Sequence, residues 1–333
     1  MWEWSEAFSS LCLAPGAAGQ TSAADLAESL VGIYCSGLTQ DKMGNVVGFL
    51  KGCDESLPTL LLEAHIDQVG FTVTAVNEDG TLSVAPMGGI DSRLLNAADV
   101  TVHTAPPTEG FIIPEEGVPP VDKRRVEVGL TGEEAKARIP VGTAVTYKPH
   151  YTPLLNGRVS ATSLDDRAGV QVILRCLQLL EGDKLPCRVA ILFAVQEEVG
   201  ERGSAPGAFL LEPDAALCTD VSFAAMPGED PRECGELGKG PMIGVAPTLD
   251  QGISAQLKEL AVREGIPYQM EIMEGRTGTD ADRIGLVRTG VPCGLLSIPQ
   301  RYMHTQVETV ELADVENTAR LMAAFVREWG KRV

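Results

Sequence analysis

The chain has 333 residues, of which 44% are hydrophobic and 22% charged, and a formal net charge of -19 from 46 acidic and 27 basic residues. That length fits one large α/β domain or a catalytic domain carrying an insertion, and the composition excludes a disordered or membrane-embedded chain. The acidic excess argues against nucleic acid or an anionic membrane as partner, because neutralising phosphates needs clustered Lys and Arg, and leaves a soluble cytoplasmic protein as the expectation.

The N-terminal run Met1-Trp2-Glu3-Trp4-Ser5-Glu6 lacks a basic region followed by a long apolar one, so no secretory leader is expected. No apolar run approaches the ~20 residues that cross a bilayer. Eight cysteines stand without a Cys-x-x-Cys pair, which argues against a structural zinc site or a disulfide framework and for reduced thiols.

Residues 22–35 place Leu26, Leu30, Val31 and Tyr34 at helical spacing behind a Thr21 or Ser22 cap, and read as the first packed helix. A turn over residues 41–45 precedes a short strand at 46–50. Residues 59–62 form a continuous apolar run, as in strands buried on both faces of a mostly parallel sheet. From Phe71 the texture changes. Alternating strands at 71–76 and 81–85 flank the turn Asn77-Glu78-Asp79-Gly80, and short strand-like pieces follow at 100–102, 110–113 and 141–147, with one short helix at 131–138. Residues 72–159 therefore read as an inserted β-rich, barrel-like domain between the two parts, 1–71 and 160–333, of a catalytic domain.

Beyond the insertion a helix is expected over residues 168–180, then alternating strand and helix candidates at 188–195, 208–211 and 215–219. A helix at 253–263, stopped by Gly265 and Pro267, precedes strands at 268–272 and 293–298. The last helix, 315–330, sets Met322, Phe325, Val326 and Trp329 on one stripe. This alternation is the α/β signature.

The chemistry is concentrated where strands end. Glu197 and Glu198 close the apolar run 190–195, and two adjacent carboxylates resist burial unless a cation or a shared proton offsets them. Glu198 thus reads as a metal ligand and Glu197 as the base beside it. His65 follows the strand at 59–62, Asp220 the strand at 215–219, His304 the strand at 293–298, and Asp165 stands at the mouth of a helix. In open α/β sheets such positions face one crevice beyond the carboxyl ends of the strands. Singly, each residue has a plainer role: a hydrogen-bonded histidine, a helix N-cap for Asp165, a turn starter for Asp220 or Asp67, a solvated strand end for Glu197-Glu198. As a set, two His and three carboxylates can hold two divalent ions if one carboxylate bridges them, and mixed imidazole and carboxylate donors suit Zn, Co or Mn better than Mg.

The runs Ala64-His65-Ile66-Asp67-Gln68-Val69-Gly70, Leu164-Asp165-Asp166-Arg167-Ala168-Gly169, Gln196-Glu197-Glu198-Val199-Gly200-Glu201-Arg202-Gly203, Cys218-Thr219-Asp220, Gly278-Thr279-Asp280-Ala281 and Arg301-Tyr302-Met303-His304 resemble, in content and order, the tetrahedral (TET-type) metallo-aminopeptidases. That family includes glutamyl, leucyl and lysyl aminopeptidases and some members described as cellulase-like. The resemblance implies a three-layer, mostly parallel mixed sheet of the zinc-peptidase type with an inserted barrel-like domain. It implies two divalent transition-metal ions per chain, zinc first with cobalt or manganese as alternatives: His65 and Asp220 on one, Glu198 and His304 on the other, Asp165 bridging. It further implies Glu197 as the general base for a metal-bridging water, Asp67 as the carboxylate orienting His65, peptide substrates, and a homo-oligomer assembled through the insertion, a dodecamer built from dimers. Gln68 departs from the family, which commonly has Glu there. Asp166 and Arg167 read as a helix-terminal charge and an ion-pair partner, Asp280 as a helix cap or a shaper of the site, and residues 226–240 as a border of the pocket or a plain loop. A glycoside hydrolase using Glu197 and Glu198 fits poorly, since that chemistry sets its carboxylates about 5 Å or more apart across the scissile bond.

Overall fold

The computed structural model describes residues 4–331; Met1, Trp2 and Glu3 of the stretch inspected for a leader lie outside the described residues. The chain opens with α1 (Trp4–Leu13) and α2 (Ser22–Val31), then β1 (Cys35–Gln40), β2 (Val46–Leu50) and β3 (Thr59–His65). Next come β4 (Gly70–Val76), β5 (Leu82–Met87), β6 (Asp99–Val102), β7 (Thr108–Ile112), β8 (Arg125–Glu127), α3 (Gly132–Arg138) and β9 (Ala144–Tyr147). The remainder comprises β10 (Tyr151–Pro153), β11 (Arg158–Ala161), α4 (Leu164–Leu179), β12 (Arg188–Ala194), α5 (Ser204–Leu211), β13 (Ala215–Phe223), β14 (Met242–Val245), α6 (Gln251–Glu264), β15 (Gln269–Ile272), α7 (Ala281–Ile284), β16 (Cys293–Gln300), β17 (Glu308–Glu311) and α8 (Leu312–Trp329).

Eight strands form the central sheet in the order β1-β2-β12-β3-β13-β16-β14-β15. Its middle, β12-β3-β13-β16, is parallel throughout, and antiparallel pairings appear only toward the edges. Every residue of β3 is buried, as a strand covered on both faces requires. On one face Leu60, Leu62 and Ala64 join Phe8 of α1, Ile173 and Leu177 of α4, and Met322, Phe325 and Val326 of α8 in the larger core. On the other, Leu61, Leu192 and Cys218 pack with Ala208 and Leu211 of α5 and Ile284 of α7. The architecture is the expected three layers. A closed barrel, β4-β5-β8-β7-β6-β9, has its own core of Phe71, Val73, Val84, Val100, Ile112, Val126 and Val145. The strands β10 and β11 are not part of it; they form a three-stranded antiparallel sheet with β17.

The local expectations change at the first helix. The helix at 22–35 stops at Val31, and Cys35 already starts β1; its buried face is Ala23, Ala24, Ala27, Leu30 and Val31, with Leu26 and Tyr34 only partly buried against the core. It is also preceded by α1, whose Phe8, Leu11 and Cys12 are buried at helical spacing. Elsewhere the alternation holds: residues 208–211 are the end of α5, the helix between β12 and β13. The helix at 253–263 is α6, capped by the Asp250 carboxylate on the Ile253 N–H and ended by Gly265 in the left-handed region at φ +63°.

Candidate metal centre

The parallel strands deliver the predicted residues to one edge. His65 is the last residue of β3, Glu197 and Glu198 follow β12 by three and four positions, and His304 lies in the loop after β16. Asp220 lies inside β13 rather than after it, because that strand runs on to Phe223. Asp165 arrives from the other direction, four residues past β11. Asp165 and Asp166 depart from helical φ and ψ, so the regular part of α4 begins after them.

His65 Nε2 lies 2.9 Å from Asp165 Oδ1 and 3.6 Å from Asp220 Oδ1. His304 Nε2 lies 3.2 Å from Asp165 Oδ2 and 3.3 Å from Glu198 Oε2. The two triads share Asp165, which turns one oxygen toward each imidazole. Ligand atoms of His65, Asp165 and Glu198 come within 4.8 Å of one another. Glu198 Oε1 is buried with no hydrogen-bond partner. A carboxylate oxygen left without a donor at the meeting point of two imidazoles and three acids is what a cation site offers, so the residues present fit divalent ions.

Asp67 stands 3.6 Å from His65 Nδ1, beyond a good hydrogen bond. Its carboxylate instead accepts the backbone N–H of Glu197 at 2.9 Å and that of Glu198 at 3.4 Å, holding the turn that presents both acids. That turn starts at Gln196 with φ +63°, and His304 sits at φ +60° beside Tyr302 at +59°. Ser163, two residues before Asp165, is at φ +62°. Each such non-glycine residue costs about 1–2 kcal/mol and persists where its surroundings hold it.

One organiser lies beyond the expected set. Glu308, at the start of β17 and 2% exposed, accepts the Asp165 N–H on one oxygen at 3.2 Å and the His304 N–H on the other at 3.0 Å. Its signal was local: Glu308 follows His304 by four residues. Glu63 is a second, a lone acid inside the apolar run of β3, 1% exposed, with Oε1 unpartnered. The expected ion pair of Arg167 is replaced by donation to the Leu11 carbonyl at 2.7 Å and the Ala14 carbonyl at 3.2 Å, which ties α4 to the end of α1. Asp166 accepts the Gly169 N–H at 2.8 Å. Asp280 precedes α7 without capping it, both oxygens buried and unpartnered, which leaves a shaping role behind the site. Residues 226–240 reach the His304 loop through Met226 Sδ, which accepts the Tyr302 N–H at 3.2 Å.

Electrostatics follow from this crowding. Burial, reinforced by the charge of Asp165, lifts Glu198 well above the usual carboxylate range, and burial also lifts Asp220. Glu197 is pushed up to about 10 by burial, with Asp220, Asp280 and Glu198 adding to it and His65 opposing. Burial alone would lower the histidines, but the hydrogen bond of Asp165 and the nearby carboxylates of Asp220 and Asp67 hold His65 well up, and the carboxylates of Asp165 and Glu198 bring His304 to about 10. The same two imidazoles hold Asp165 below its ordinary value against its burial. Glu308 is driven to about 8 by burial and by the neighbouring Asp165 charge.

These shifts fix the sign of a pH effect. As ligands, Glu198, Asp220, His65 and His304 would have to be deprotonated, and each holds its proton to higher pH than it would in water. Metal binding must therefore release protons, and affinity must rise with pH toward the His304 value of about 10. Calorimetry of zinc binding in two buffers of different ionisation enthalpy should show proton release near neutral pH; an affinity flat in pH would show that the ligands were already bare.

The fold and site define a metal-dependent hydrolase with its chemistry at the carboxyl edge of a three-layer α/β sheet. Residues 44–321 match the family described as M42 glutamyl aminopeptidase. Among relatives, the lysyl aminopeptidase of Pyrococcus furiosus is 32% identical over 305 residues, covering 86% of each chain. Among solved structures, the aminopeptidase APDkam598 of the archaeon Desulfurococcus kamchatkensis superposes with a TM-score of 0.92 at 31% identity, covering 99% of this chain and 97% of that one. The TET1 peptidase of Pyrococcus horikoshii, described as able to assemble into a tetrahedron or a large octahedral shell, gives 0.85 at 26% identity, covering 98% and 100%. The chain belongs to the M42 aminopeptidase family and is a peptide hydrolase that uses divalent metal.

Proposed function

We propose that this aminopeptidase removes N-terminal residues from peptides with two divalent transition-metal ions per chain, zinc first and cobalt or manganese as alternatives. His65 and Asp220 would hold one ion, Glu198 and His304 the other, and Asp165 would span both. The observation that carries this reading is the placement of Asp165, with one oxygen toward each imidazole. When bound, such ions polarise the scissile carbonyl and lower the pKa of a water between them.

The rest falls to the protein. Glu197, set on the turn that Asp67 grips, takes the proton of the attacking water and returns it to the leaving amine. Without added positive charge, its carboxylate stays protonated at neutral pH, since burial among acids holds it near 10; a base in that place requires the cations its neighbours are built to hold. Asp67 also stands beside His65 Nδ1 and limits how that ring can turn.

Exhaustive chelation is expected to abolish hydrolysis of aminoacyl chromogenic substrates, and zinc, cobalt or manganese to restore it; full activity in the chelated protein would overturn the reading. The same substrate panel would give the preferred N-terminal residue. Among the described residues no helix is long and apolar enough to cross a membrane; the place of action we propose, the cytoplasm, is an expectation from the acidic composition and the cysteine pattern. We assign residues 1–71 and 160–333 to catalysis and, within 72–159, the barrel to assembly of dimers into a dodecamer, by analogy with the dodecamer of PhTET1, an arrangement that a solution mass of one chain would remove.

A further inference from the structure

The two triads arrive on segments with no covalent reason to hold a fixed distance. Asp165 comes on the connection from β11 to α4, and His304 on the loop from β16 to β17. Both segments bend through the left-handed region, at Ser163 in the first and at Tyr302 and His304 in the second. Bends of that kind relax unless something holds them.

Glu308 is placed to do so. The pairing of β11 with β17 sets it directly opposite Ala161, four residues before Asp165. From there its two oxygens separate, one taking the Asp165 N–H and the other the His304 N–H. The bridging carboxylate and the second imidazole thus hang from a single buried carboxylate. The barrel closes the other side of His304. The Asp91 N–H donates to the His304 carbonyl at 3.4 Å, and Gly89 lies beside the ring, where any Cβ would stand 3.1 Å from His304 Nδ1 and crowd it.

We propose that Glu308 is a positioning residue that sets the spacing between Asp165 and His304 and so prepares the site of the second ion, held by Glu198 and His304, while leaving the first, held by His65 and Asp220, largely to the sheet. The inference rests on the two-ion reading above. Neither His65 nor Asp220 depends on Glu308: both sit on strands whose parallel neighbours fix them. A glutamine at 308 has one acceptor oxygen, and its NH2 opposes whichever N–H it meets, so one of the two loops is released. An aspartate keeps the charge but is one methylene too short to span both.

The test is equilibrium dialysis of wild-type, Glu308→Gln, Glu308→Asp and His304→Ala proteins against rising zinc, with metal analysis per chain and a thermal melt of each apoprotein. Glu308→Gln should hold its first ion, through His65 and Asp220, much closer to wild-type affinity than its second, which should bind about 10–100-fold more weakly, the range that loss of an outer partner costs a metal site, with the apoprotein melting near wild type. Both ions bound at wild-type affinity would overturn the proposal. So would equal weakening of both with a lower apoprotein melting temperature, the mark of a merely structural residue. Should Glu308→Gln fail to fold, Glu308→Asp must show the same split between the ions, and its absence decides against the role. The His304→Ala protein tests the underlying reading by itself: if it still binds two ions as tightly as wild type, the ligand assignment falls regardless of what the Glu308 variants do.

Discussion

Replacing Glu197 by Gln is expected to leave the metal content of the protein unchanged and lower turnover by about a hundred- to ten-thousand-fold, the range in which a positioned general base contributes. The amide matches the carboxylate in shape but cannot accept a proton. The turn carrying it should survive, because Asp67 grips that turn through the backbone N–H groups of residues 197 and 198, which the substitution leaves in place. Glu198 is therefore presented as before. The measurement is kcat with metal analysis on the same sample, across pH. In the wild type the acid limb of the rate profile should report the base losing its proton, and that limb should vanish in the variant. An unchanged rate would remove Glu197 from the base role; a loss of metal would show that residues 197 and 198 share ligation instead of dividing the work.

Much of this site was legible because parallel sheets impose a geography. An apolar run buried on both faces, such as residues 59–62, must be a central strand, and whatever polar group ends it falls at the sheet edge where the neighbouring strands also end. That logic placed His65, Glu198 and His304 together without any pair of them lying close in sequence. It was silent on what holds them. Glu308 stands legibly four residues after His304, but it acts through its carboxylate on two backbone N–H groups, and which N–H groups those are leaves no trace in side-chain pattern. Glu63 was visible as an interruption of β3, but its meaning depends on Asp280, which approaches from more than two hundred residues away. The resemblance implies Asp67 as the carboxylate orienting His65, whereas its hydrogen bonds go to the backbone of residues 197 and 198 on another strand's end. The fold divides in the same manner. Strands with strong local alternation, such as β4 and β5 around their turn, were evident. The short β8, β14 and β17 were not, since each is defined by its partners: β8 lies between β5 and β7, and only that pairing closes the barrel.

Replacing Asp165 by Asn should have the largest effect on metal. It is the carboxylate that reaches both imidazoles, at 2.9 Å from His65 Nε2 and 3.2 Å from His304 Nε2, so one substitution acts on both triads. Asparagine keeps the size but has a single acceptor oxygen, and it withdraws the negative charge that faces two cation positions. Each ion then loses either an oxygen donor or the charge behind it. Affinity for both should fall by more than about 100-fold, past the upper range for outer partners, with hydrolysis at background. The apoprotein should fold, because the strands that place His65 and Asp220 and the turn held by Asp67 do not involve the Asp165 side chain. Metal analysis after dialysis, paired with a melt of the apoprotein, checks this. Retention of one ion at wild-type affinity would confine Asp165 to a single site, and retention of both would exclude it as a ligand. Set beside the Glu197→Gln protein, which should hold metal without turning over, the Asp165→Asn protein should be inactive for want of metal, and that contrast separates proton transfer from ion binding at one strand edge.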